Sequence, residues 1–93
     1  MEQKNMAHIL ARLRGVKVED IKKVLKADAS GHAEQGLYLE HFWQNADDSE
    51  EVLFLFRTDD LSRAKKFIEK VHAQALEEDP NANLPQMTFL KEE

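Results

Sequence analysis

The densest apolar run in the chain is Val52-Leu53-Phe54-Leu55-Phe56, set between Glu51 and Arg57-Thr58. On a strand, Leu53 and Leu55 point to one face and Val52, Phe54 and Phe56 to the other. A strand with one wet face alternates apolar and polar residues, so this one predicts cover on both sides. A short chain supplies its own helices for one face. A second copy of the chain is the simplest cover for the other. The plainer alternative is an ordinary central strand with some exposure on one side.

The rest of the pattern arranges itself around this strand. Residues 6–14 alternate: Ala7, Ile9, Ala11 and Leu13 share one side, and Met6, His8, Leu10, Arg12 and Arg14 the other. Gly15 ends this first strand. Val18, Ile21, Val24 and Leu25 recur at helical spacing, with Glu19 and Asp20 early and Lys22, Lys23 and Lys26 later, an order that complements the helix dipole. Ser30-Gly31 is the expected stop, and residues 32–36 read as a polar connector. Residues 37–45 form a second strand, with Leu37, Leu39, His41, Trp43 and Asn45 on one side and Tyr38, Glu40, Phe42 and Gln44 on the other. An acidic turn over 46–50 makes it a hairpin with the central strand. Symmetric closure places Trp43 opposite Leu53 and His41 opposite Leu55. Asp59 or Asp60 caps a second helix, whose stripe is Leu61, Ala64, Phe67, Ile68, Val71, Ala75 and Leu76. After Pro85, residues 87–91 read as a last short strand.

The order βαββαβ, with right-handed crossovers, predicts an α+β fold: a ferredoxin-like plait with a four-stranded antiparallel sheet and two helices on one face. The whole chain, 1–93, is then one ferredoxin-like domain, with 1–5 disordered or frayed. The opposite sheet face would be bare in a monomer.

Composition changes this picture little. The chain has 93 residues, 42% of them hydrophobic and 33% charged, which suits a globular domain rather than a disordered one. It has no cysteine, which excludes a disulfide framework and a thiol nucleophile. No apolar run reaches membrane-spanning length, and the first residues lack the plan of a secretory signal. The expectation is a cytoplasmic protein that binds no membrane. A net charge of −5 argues against a nucleic-acid partner. An RNA-recognition domain shares the element order, but its central strand needs exposed aromatic and basic groups to stack bases.

His41-Phe42-Trp43-Gln44-Asn45-Ala46-Asp47-Asp48, the central strand and Asp59-Asp60-Leu61-Ser62-Arg63-Ala64-Lys65-Lys66-Phe67-Ile68 together resemble the second half of small proteins in the dimeric α/β-barrel superfamily, the antibiotic-biosynthesis-monooxygenase-like group. The resemblance covers the middle third of the chain well and the remainder by element order. It implies a homodimer through the open sheet face, with a pocket between each sheet and its helices. It also implies a cofactor-poor monooxygenase, or an isomerase or cyclase, acting on a small aromatic or polyketide-like compound. The haem-degrading branch uses Asn, Trp and His. The spacing of Asn45, Trp43 and the histidines does not match that branch, and no role is carried over from it.

The polar and aromatic members of the apolar strands are the candidates for chemistry. His41 is the candidate general base near neutral pH. Tyr38, Trp43, Arg12 and His8 are candidate substrate-binding residues: Tyr38 to hydrogen-bond a phenol or carbonyl, Arg12 to hold a carboxylate. Equally, His41 and Trp43 suit a dimer interface, and Arg12 suits pairing with an acid. His32 and Glu34 sit either at a pocket mouth or in a solvated loop. His72 falls at the edge of the second helix's stripe, where partial burial explains it. Asp47-Asp48 and Glu50-Glu51 read as a solvated charge run. No HxH, HxxxH or HExxH spacing calls for a metal, and no motif calls for a cofactor. The alternative function is a homodimer that binds a small metabolite without catalysis. A closed pocket holding a His of shifted pKa would favour the enzyme. A fully packed space would favour the binding module.

Overall fold

The computed structural model describes residues 6–92. The lead at 1–5, expected to fray, lies outside the described residues. Within them the order is β1 (Ala7–Arg14), α1 (Val18–Ala27), α2 (Ala29–Glu34), β2 (Tyr38–Asn45), β3 (Asp48–Thr58), α3 (Leu61–Glu78) and β4 (Gln86–Lys91). Among the described residues this is an α+β fold with three helices and one four-stranded sheet in the order β2-β3-β1-β4. All three pairings are antiparallel.

The central run is β3, paired on both edges as its composition demands. It passes straight into α3, where the Asp60 carboxylate accepts the Arg63 backbone N–H at 3.0 Å. This cap satisfies one of the donors that a helix start leaves open. One parity of β3 (Val52, Phe54, Phe56) is buried with Ile9, Ala11 and Leu13 of β1, Leu25 of α1, and Ala64 and Ile68 of α3. Helices α1 and α3 therefore share one face of the sheet. The other parity, Leu53 and Leu55, is half-buried, and among the described residues no helix packs over it. The hairpin pairs Trp43 with Leu53 and His41 with Leu55 as expected, but its turn is shorter than 46–50: Asp48 to Glu50 belong to β3, Asn45 pairs with Asp48, and the register shifts between Gln44 and Asn45.

Two expectations are corrected. First, the helical segment does not end at Ser30-Gly31, and residues 32–36 are not merely a connector. The chain bends at Asp28 and continues as α2 through Gly31. The stop is Gly36, at φ +74. Its N–H donates to the Ala33 carbonyl at 3.0 Å, and the Leu37 N–H donates to the His32 carbonyl at 2.9 Å. That is the Schellman arrangement, which needs a left-handed residue after the helix and a buried apolar residue next to it. Leu37, 2% exposed, is that residue. Gly31 has ordinary helical backbone and so exerts no stop.

Second, the alternation assigned to β2 breaks. Leu39 pairs with Phe56 and His41 with Leu55, so Glu40 is an extra residue in a β-bulge. Tyr38 and Glu40 therefore join His41 and Trp43 on the open face, and Phe42 stays with Leu39 on the helix face. The bulge is held from across the sheet: Glu40 Oε1 lies 3.0 Å from His8 Nε2, and Glu40 Oε2 lies 3.3 Å from Arg57 Nε.

Candidate functional site

Two cavities lie between the sheet and the helices. The first, about 380 Å³, opens between β2 and the α1–α2 bend. The second, about 260 Å³, runs between α1, α3 and β4. Small-molecule sites commonly measure roughly 300–1,000 Å³, so the first is of that size and the second just under it. Leu25, His32, Leu37 and Phe56 line both and form the wall between them.

His32 is the polar group in that wall. The Schellman closure at Gly36 fixes the last turn of α2 and so aims His32 inward. Its ring stands edge-on to Phe56, with centroids 5.2 Å apart. Burial pushes the imidazole below its ordinary value of 6.5, against the opposing pull of Asp28. His72 of α3 lines the second cavity, and burial lowers it in the same direction. Both rings are thus neutral at neutral pH, with a nitrogen free to take a proton. The sign for stability follows. Their folded-state values are depressed, so the unfolded chain binds protons first, and stability declines as pH falls below 6.5.

The residues singled out in the sequence lie elsewhere. His41 and Trp43 are stacked on the open sheet face, with centroids 5.0 Å apart. His8 is beside Glu40 on the same face, and Arg12 lies further along it. Of the set, Tyr38 alone touches either of these two cavities. It lines the mouth of the first, with the Arg57 guanidinium 4.9 Å from its ring centroid. The structure thus brings His8, Arg12, Tyr38, His41 and Trp43 to the open face, with Tyr38 at the sheet edge also touching the rim of the first cavity, and brings His32 and His72 to the sheet–helix space. The sign of His32 in the sequence was its place beside a glycine-flanked turn. What could not be read there was that α2 carries it under the sheet.

Glu51 is a further correction: it is not part of a solvated charge run. It lies 2% exposed on the open face, screened by its own partners rather than set deep in the core. Its Oε2 accepts from Arg12 Nε and Arg14 Nε, both at 2.6 Å, and its Oε1 accepts from Asn45 Nδ2 at 2.5 Å. Donation from Arg12, then Arg14 and Asn45, lowers its pKa from 4.5 to about 2. Because the folded value is depressed, the network stabilises fully above pH 4.5, and this is lost as pH falls toward 2. Glu51→Gln is expected to lower the urea midpoint at neutral pH. The gap from the parent should close between pH 4.5 and 2. A gap that stays constant across that window would show that the carboxylate charge is not what the arginines hold.

Among the described residues, no group of three His, Cys, Asp or Glu side chains is placed to hold a metal ion. No described helix is long and apolar enough to cross a membrane. The chain matches no model of a known family and no curated protein.

Proposed function

We propose that the protein binds a small, largely apolar molecule between sheet and helices and acts on it by proton transfer, with His32 as the base. The observation that carries this reading is a neutral imidazole in the wall of a largely apolar cavity. Such a group can take a proton from a phenol or from a carbon next to a carbonyl. That step is shared by cofactor-poor isomerases and cyclases. It also opens monooxygenase chemistry, in which the carbanion passes electrons to dioxygen. Aromatic and polyketide-like compounds have acidic protons of this kind. The test is deuterium exchange at the acidic carbon of β-tetralone in D₂O, followed by NMR. Exchange faster than in buffer supports the base. A probe that binds without faster exchange leaves the protein a metabolite-binding module.

The architecture that goes with this reading is a ferredoxin-like plait paired as a dimeric α/β barrel. The strand order and the shared helix face support it, and α2 is an addition to the plan. A homodimer through the open face would cover Leu10, Leu53 and Leu55, together with Trp43, which is 46% exposed. His41, His8 and Arg12 would then serve the interface and its rim. Light scattering across a dilution series is expected to give twice the 10.8 kDa chain mass. Leu55→Glu should give the single-chain mass, because it sets a charge in the middle of each apposed sheet. A parent protein that is monomeric at micromolar concentration would remove the barrel.

A further inference from the structure

The mouth of the first cavity carries charge of one sign. Lys22 and Lys26, one turn apart on α1, both line it, and no carboxylate does. In a chain of net charge −5 this is a local reversal. Among the described residues, neither ammonium makes an ion pair. Lys22 Nζ hangs 5.8 Å from the ring centroid of Phe42, which forms the cavity's side. The rest of the lining includes the apolar Leu25, Leu39, Phe42 and Phe56, together with His32. Lys22 stands at Phe42 and His32 at Phe56, and Phe42 pairs with Phe54, the next residue of that face along β3 from Phe56. The cavity therefore combines two ammonium groups, an apolar lining and a neutral imidazole, with Lys22 and the imidazole at different positions along the sheet.

We propose that the ligand is an apolar carboxylate, either an aryl acid or an acid with a short apolar body. Its carboxylate sits between Lys22 and Lys26, and its body lies against Phe42 and Phe56 with its far end at His32. This rests on the sheet–helix cavity being the ligand site and adds the substrate's chemical class to it. The occupant follows from complementarity. An apolar lining rewards burial of an apolar body, and two adjacent ammonium groups neutralise a compact anion. A phosphate would more usually be met by a guanidinium fork or a row of backbone N–H groups. No arginine lines the cavity, and Arg57, beside Tyr38, is paired with Glu40. The lysines fix which end of the ligand enters last, and so which atoms reach the imidazole.

The test compares β-naphthylacetate with its methyl ester, by calorimetry on the full chain at low salt. The two share one apolar body and differ in the charge. The acid is expected to bind about tenfold tighter, the size of two partly exposed ion pairs. That advantage should vanish in Lys22→Gln/Lys26→Gln and shrink with added salt. Both lysines are exposed, so the variant keeps its fold, checked by circular dichroism. Equal binding of acid and ester by the parent would overturn the carboxylate assignment and leave the cavity as a site for neutral compounds. Binding of neither would overturn both this assignment and the cavity as a ligand site. An advantage for the acid that persists in the double variant would place the anion elsewhere and also overturn the proposal.

Discussion

His32→Asn is expected to abolish most of the proton-transfer activity while the fold survives. Positioned acid–base groups contribute about 10²–10⁴-fold, and the exchange rate should fall by a factor of that order. Asparagine keeps a polar tip at the position but is smaller than the ring, so the edge-on contact with Phe56 is lost at a modest packing cost. The Schellman closure involves only the His32 backbone carbonyl and is untouched. A second readout separates a base from a structural group. In the parent, the acid limb of the rate–pH profile should lie below 6.5, because burial lowers the imidazole. In the variant that limb should be absent. An unchanged rate in His32→Asn, with the limb still present, would assign the chemistry to another group. His72, in the second cavity, is the first to examine.

Phe56→Ala is expected to cost about 3–5 kcal/mol of stability, measured by urea unfolding. Phe56 is 4% exposed on the central strand and stands edge-on to both Phe54 and His32. A small domain has only about 5–15 kcal/mol in total, so this single change approaches the limit the fold tolerates. Its functional effect is separate. Phe56 is part of the wall between the two cavities, and shortening it joins them. His32 would gain water, and its acid limb should move back up toward 6.5. Phe56→Leu is the milder variant, with a smaller stability loss and the same direction of shift. A loss within about 0.5 kcal/mol, the range of ordinary surface changes, would mean that Phe56 is not packed as described.

Local features were legible in the chain, and features assembled from distant segments were not. The passage from β3 into α3 is written in consecutive residues: a doubly apolar run, an Asp cap and then a 3.6-residue stripe. The strand and an Asp cap at 59 or 60 follow from that text, and the structure selects Asp60. The hairpin register was legible for the same reason, since a tight turn ties β2 to β3 within a few positions. The buried parity of β1 was visible as the small-and-apolar set Ala7, Ile9, Ala11 and Leu13. The presence of polar side chains at His8, Arg12 and His41 was equally plain. What remained open was which face of the molecule they would serve.

That face was decided by contacts between parts of the chain far apart in sequence. Glu40 leaves the alternation of β2 because His8, thirty-two residues away, and Arg57 are waiting on the open face. Glu51 is drawn out of an acidic run because Arg12 and Arg14 reach it from the neighbouring strand. Gly36 rather than Gly31 ends the helical segment because Leu37 finds a buried seat in the core, which makes the left-handed turn worth forming. The same seat carries His32 beneath the sheet. Hydrophobic periodicity reports what one element wants from its immediate surroundings. Ion pairs, bulges and cavity walls depend on what another element offers, and such a partner leaves no periodic trace in the segment that meets it. The sequence by itself therefore determined the strands, the long helix and the buried parity. The tertiary structure alone decided that His32, and not the histidines of the strands, faces the cavity.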